Sequence, residues 1–189
     1  MSIAILSSLI LTSAPALGTH VHGVAHLDMA LNSNGALRVE FTSPKHDVLG
    51  FEHAPETPEE HEAIKDLETR LERPESLFSL TGGHCALTAL HLDETPASLS
   101  ASQVHSDGAN PHDEHDHDDD HHDDHDHAHS SDLNIAYDFM CESPAQLGQI
   151  ILNAFETFPS LTTIELAFLS DRVALTETVS RANTSVRLR

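Results

Sequence analysis

Between Asn110 and Ser130 the chain reads NPHDEHDHDDDHHDDHDHAHS, and nearly every side chain in that stretch can bind a metal ion. Eight histidines, His112, His115, His117, His121, His122, His125, His127 and His129, are interleaved with Asp and Glu. Neutral imidazole suits zinc, nickel and copper, and carboxylates add hard anionic oxygens. A dense acidic background also concentrates divalent cations before any bond forms. An acid run alone would read as a solvated linker; the interleaved imidazoles make it a metal-binding tract. With no Leu, Ile, Val, Phe or Tyr, the tract buries too little apolar surface to offset its ordering entropy, so a disordered loop is expected. Mobile ligands suit capture or buffering rather than one defined geometry.

Two further places could build an ordered site. His20-Val21-His22-Gly23 sets two imidazoles at i and i+2, which share a face on a strand, although the same spacing fits a flexible mature terminus. Gly50-Phe51-Glu52-His53 offers an adjacent carboxylate and imidazole on a loop, enough to complete a four-coordinate zinc site. His46 in a loop, and His84 and His91 on or beside a strand, read as surface or hydrogen-bonded residues rather than ligands. His61 reads as solvated on an acidic helix.

The elements that position these residues follow from periodicity. Val21, Gly23, Ala25, Leu27, Met29 and Leu31 alternate with His20, His22, Val24, His26 and Asp28, the period of a half-buried strand with His20, His22 and His26 on one face. Asn32-Ser33-Asn34-Gly35 is a turn signal, and Leu37, Val39 and Phe41 define a return strand ended by Ser43-Pro44. After a loop, Thr57-Pro58-Glu59-Glu60 carries an N-cap, a first-position proline and a capping box. Ala63, Ile64, Leu67 and Leu71 give that helix its apolar stripe, and Pro74 ends it. A strand is expected near His84 to Leu92, then polar loop into the tract. Beyond it, Leu133, Ile135, Tyr137, Phe139 and Cys141 alternate as a strand. Ser143-Pro144 is expected to start a helix carrying Leu147, Ile150, Ile151, Ala154 and Phe155, followed by strands at Thr162 to Leu169 and Arg172 to Thr178. The end of the chain reads as a polar tail.

The two sides of the tract rhyme: each has a strand ending at Ser-Pro, then a helix, a proline and another strand. The expected fold is α+β, two small pseudo-repeated α/β sandwich halves with antiparallel sheets, joined by a disordered His/Asp-rich loop. Residues 19–94 form the first half, 95–131 the loop, 132–180 the second half and 181–189 the tail. A cleft between the halves is the expected ligand location. Residues 1–18, with an apolar run from Ile3 to Leu11 and the small-x-small sites Ala14-Pro-Ala16 and Ala16-Leu-Gly18, read as a secretory signal peptide too short to span a bilayer. No Lys or Arg precedes that run, a departure from the usual basic start.

The formal charge is −22, against nine Lys plus Arg, so nucleic acid and anionic membranes are repelled and the expected partners are cations or basic surfaces. Export would make Cys85 and Cys141 a plausible disulfide, closing a loop of more than fifty residues across the tract. Buried free thiols or soft metal ligands are the alternatives.

HVHGVAHLDMAL, SP followed by LGFEH, a cysteine at Cys85, the His-rich insertion and YDFMCESPAQL together resemble the ZrgA-like family of periplasmic zinc-uptake proteins, over roughly His20 to Thr178. The resemblance implies a periplasmic Zn²⁺-binding protein with two α/β subdomains around a central metal site, working with a zinc importer of the ABC type and touching the membrane only through that partner. It assigns His20, His22, Glu52 and His53 as the ligand candidates. A monomer is expected. Alternatives are a metal buffer or store without a transporter partner, for zinc, nickel or copper, and a metal-dependent hydrolase. Against the hydrolase, the chain is too short for a (β/α)₈ barrel and has no HExxH or nucleophile constellation. No enzymatic activity is expected.

Overall fold

The computed structural model describes residues 21–93 and 131–189, so the expected signal peptide, His20 and the whole His/Asp tract lie outside the described residues. The chain is α+β with two sheets, as expected. The larger is built on alternation. Strand β1 (Val24–Leu31) buries Ala25, Leu27, Met29 and Leu31, and β2 (Ala36–Pro44) buries Leu37, Val39 and Phe41. Helix α1 (Lys45–Leu49) is a single turn, and α2 (Pro58–Leu71) is the long helix. A 3₁₀ turn at Pro74–Ser76 leads to β3 (Phe78–Thr81) and β4 (Cys85–Asp93).

After the tract come β5 (Asp132–Cys141), β6 (Gln149–Leu152), the one-turn helix α3 (Ala154–Thr157), β7 (Thr163–Ser170), β8 (Ala174–Ser180) and β9 (Ser185–Arg187). The six-stranded sheet runs β4-β5-β2-β1-β7-β8, and the three-stranded sheet runs β3-β6-β9. All pairings are antiparallel except β1 with β7. The two sheets do not divide the chain at the tract. Strand β5 is inserted between β2 and β4, β7 pairs with β1, and β3 pairs with β6, so each sheet draws strands from both sides. Cys85 and Cys141 are register partners and form a disulfide.

One face of the large sheet carries the core. Leu27, Phe41, Tyr137, Ile164 and Leu166 are almost fully buried there. Leu67 and Leu71 of α2, Phe78 of β3, Ile150 of β6 and Val186 of β9 belong to the same core. The α2 start is as the sequence predicts: Thr57 accepts the Glu60 N–H, and Glu60 accepts the N–H of Thr57 in return.

Three elements differ from expectation. The helix expected after Ser143-Pro144 is a 3₁₀ turn at Pro144–Gln146, then β6, then α3. Leu147, Ile150, Ile151, Ala154 and Phe155 fit a helical stripe, but Ile150 and Leu152 bury on alternate positions because β3 and β9 pair on either side. The end of the chain is not simply a polar tail: Val186 and Leu188 are buried, with β9 closing the edge of the small sheet. The loop after Pro44 contains α1, with Gly50 closing it at φ +91°, a left-handed conformation that glycine adopts without strain.

Tyr137 shows how the large sheet holds α2. Its ring is fully buried, and its hydroxyl donates to the Leu71 carbonyl at 2.7 Å in the last turn of the helix. Burial pushes the phenol pKa upward, so it stays a donor at ordinary pH. Tyr137→Phe is expected to lower unfolding free energy by about 1 to 2 kcal/mol, mostly from the carbonyl left unpaired. Urea unfolding with an unchanged m-value checks this.

Candidate metal centre

His22 does not lie on β1. Val24 N–H donates to the Val21 carbonyl at 3.2 Å, and Gly23 has φ +80°, so residues 21–24 form a tight turn with glycine at its third position. Glycine at the positive-φ position ends the alternation that would have carried the strand back to His20. His26 is on β1, on the solvent face, with Nδ1 3.4 Å from Glu165 Oε2. His22 and His26 therefore do not form a common row.

The turn brings His22 against α1 and the loop behind it. The His22 ring meets the His46 ring edge-on, with centroids 5.0 Å apart. His22 Nδ1 is 3.9 Å from Glu52 Oε1, too long for a hydrogen bond but close enough for both to turn toward one ion. Both side chains are substantially exposed, 59% and 41%, and so have room to turn. Two imidazoles and a carboxylate are a donor set that zinc accepts. Among the described residues, no group of three or more His, Cys, Asp and Glu is already converged on one point. The arrangement is thus an open donor set that needs side-chain movement or a further ligand to close.

His53 is turned elsewhere. Its ring stacks at a tilt against Phe51, its Nδ1 lies 2.8 Å from the Ala54 carbonyl, and its Nε2 lies 3.6 Å from Glu60 Oε1. Donation to the Ala54 carbonyl, with Glu60 and Glu56 nearby, holds the His53 pKa above the ordinary histidine value. The backbone N–H groups of Glu56 and Thr57 hold Glu60 below the ordinary carboxylate value. The sequence candidates are therefore split: His22 and Glu52 come together, His53 faces the start of α2, and His20 and the eight tract histidines are outside the described residues.

The structure adds His46, expected from the sequence to be a surface or hydrogen-bonded residue rather than a ligand. Its neighbourhood depends on α1, and the signal for that helix was present: Pro44 immediately before it and Gly50 immediately after, the usual punctuation of a short helix. His91 keeps a dull role, its Nε2 2.9 Å from Asp138 Oδ2, and His61 Nδ1 contacts the Thr57 carbonyl.

An open hollow of about 520 Å³ lies on the outer face of the large sheet, lined by Asp28, Ala30, Arg38, Glu40 and Leu169. None of the metal candidates lines it. Ligand convergence is the better guide here, since a metal ion needs donors rather than volume.

The described residues on either side of 94–130 lie at this end of the sheet. Lys45 N–H, at the start of α1, donates to the Ser131 carbonyl at 2.8 Å. Pro44 is the register partner of Asp132, and Asp93 of Asn134.

A family model described as ZrgA family zinc uptake protein matches residues 19–188, nearly the whole chain. No curated protein matches the chain.

The raised His53 pKa has a checkable origin. The largest cause is the Ala54 carbonyl, so Glu60→Gln is expected to move the His53 titration only part of the way back toward the ordinary value. Since the folded-state value is the higher one, any stabilisation from protonated His53 is present below the ordinary histidine pKa and fades as pH rises through the raised one. Proton-detected NMR titration of the His53 ring in both proteins measures it; no shift between them would contradict the geometry.

Proposed function

This chain belongs to the ZrgA family of zinc uptake proteins, and from that premise we propose that it captures Zn²⁺ outside the cytoplasm and passes it to an importer. The ordered site is His22, His46 and Glu52. His20 is a fourth candidate, since two peptide units keep its Cα within about 7 Å of that of His22. The His/Asp tract acts as a collector that feeds this site. The observation that carries this reading is the Ser131 carbonyl bonded to Lys45 N–H, one residue from His46. Ser131, the residue that follows the tract in the sequence, is thereby held against the start of α1, the helix that carries His46.

Export to the periplasm is supported by the apolar N-terminal run and by the Cys85–Cys141 disulfide, a bond that oxidising compartments favour. We read the chain as a binding protein rather than an enzyme, since His22, His46 and Glu52 are a donor set suited to holding an ion. A metal store without a transporter is the second reading, favoured by the eight tract histidines, which can hold several ions weakly.

Zinc is the cargo, so affinity must permit release. Imidazole ligands must be neutral, and binding is expected to weaken steadily as pH falls from about 7.5 to 5.5. Calorimetric titration of the mature chain with residues 110–130 replaced by a Gly/Ser linker separates the readings. One tight site is expected to survive, and His22→Ala or His46→Ala is expected to weaken it at least about a hundredfold, beyond the usual effect of outer-shell changes. Loss of all binding with the tract would leave only the store.

A further inference from the structure

The two peptide groups flanking Gly23 are held from opposite sides. The Gly23 N–H donates to Asp47 Oδ2 at 2.6 Å. The Gly23 carbonyl accepts the N–H groups of Thr162 at 2.8 Å and Thr163 at 3.0 Å, and the Thr162 hydroxyl at 3.0 Å. A Cβ on Gly23 would lie 2.9 Å from the Thr162 hydroxyl, so the turn is also tightly seated against the start of β7.

Asp47 is the unusual partner. It is 5% exposed in a chain of formal charge −22, and burying a carboxylate is unfavourable unless hydrogen bonds compensate. Its bond to Gly23 is short, charge-assisted and spans 24 residues. Asp47 follows His46 on α1, and Gly23 follows His22 in the turn. The bond therefore joins the two backbone segments that carry the two imidazoles, each at the residue next to the ligand. His22 is exposed, so little side-chain packing restrains it, and the hydrogen bonds on both sides of Gly23 fix the backbone from which its ring meets His46.

We infer that Asp47 is a positioning residue of the metal centre: its buried carboxylate, by binding the Gly23 amide, holds the His22 turn at the distance from α1 that lets His22 and His46 share one ion. This rests on the zinc-site reading above. Asp47 touches no ion itself; it acts through backbone geometry, reducing the reorganisation that binding requires.

The test is a Zn²⁺ titration of the full mature chain against a competing chelator, with the backbone amides of His22 and His46 followed by NMR as local reporters. Asp47→Ala is expected to weaken binding at these reporters about tenfold or more, the scale of changes just outside a coordination shell. Asp47→Asn, whose side-chain oxygen still accepts from Gly23, is expected to recover most of the loss. Val179→Ala, a cavity at the buried position of the edge strand β8, is expected to lower stability without changing zinc affinity. Equal affinity in Asp47→Ala and the parent, with zinc at His22 in both, overturns the positioning role while leaving the site intact. A drop in Val179→Ala as large as in Asp47→Ala also overturns it, since general loosening would then suffice. No zinc response at His22 or His46 in the parent overturns the site reading and this inference with it. Should Asp47→Ala fail to fold, Asp47→Glu decides: it keeps the charge but moves the acceptor, so weaker binding supports the clamp and unchanged binding overturns it.

Discussion

The insertion of β5 between β2 and β4 is the constraint on which the rest of the structure depends. The first strand after the His/Asp tract completes its hydrogen bonding only by entering between two strands that precede the tract. Its inward residues Leu133, Ile135, Tyr137 and Phe139 then lie in the middle of the core. A chain that ordered only its first part would leave β2 and β4 with open edges and Tyr137's place under α2 empty. The sheet thus ties both sides of the tract into one cooperative unit, and the Cys85–Cys141 disulfide fastens the far end of that same strand pair.

That topology also decides where the chemistry is placed. The start of β1, the end of β2, the end of β4 and the start of β5 share one end of the sheet through the pairings of Thr42 with His26 and Asn134, and of Asp93 with Asn134. The turn carrying His22, the helical turn carrying His46, the loop carrying Glu52 and the described residues on either side of 94–130 follow from those ends. The placement of His22, His46 and Glu52 at this end comes from backbone pairing and not from contacts among the charged groups themselves. Exposed pairs such as His22 with Glu52 are worth little as stabilisers, which leaves their side chains free to turn toward an ion.

Much of this was legible in the residues because strong patterns ran long enough. Strands β1, β2, β5 and β7 alternate over seven or more positions, and α2 has its cap, proline and stripe together. What was misread is short. In β6, Ile150 and Ile151 are too few to separate period 2 from period 3.6, and the helical reading drew in Leu147 and Phe155 from neighbouring turns. In β9 and the residue after it, only Val186 and Leu188 mark burial, in a stretch otherwise polar. The site shows the same limit. His22 and Glu52 could be named from their motifs, but His53, next to Glu52 in the chain, points to α2 because its Nδ1 is committed to Ala54. His46 was passed over because its meeting with His22 is a tertiary fact, made by α1 and the Gly23 turn and carried by no local spacing.

Anomalous diffraction at the zinc edge from crystals of the mature chain, with residues 110–130 replaced by a Gly/Ser linker and soaked in Zn²⁺, tests the central claim most directly. The account predicts a strong peak within bonding distance of His22 and His46, with Glu52 drawn in from its present 3.9 Å separation from His22. A peak confined to His53 and Glu60 or to His26 and Glu165, with none beside His46, would contradict it.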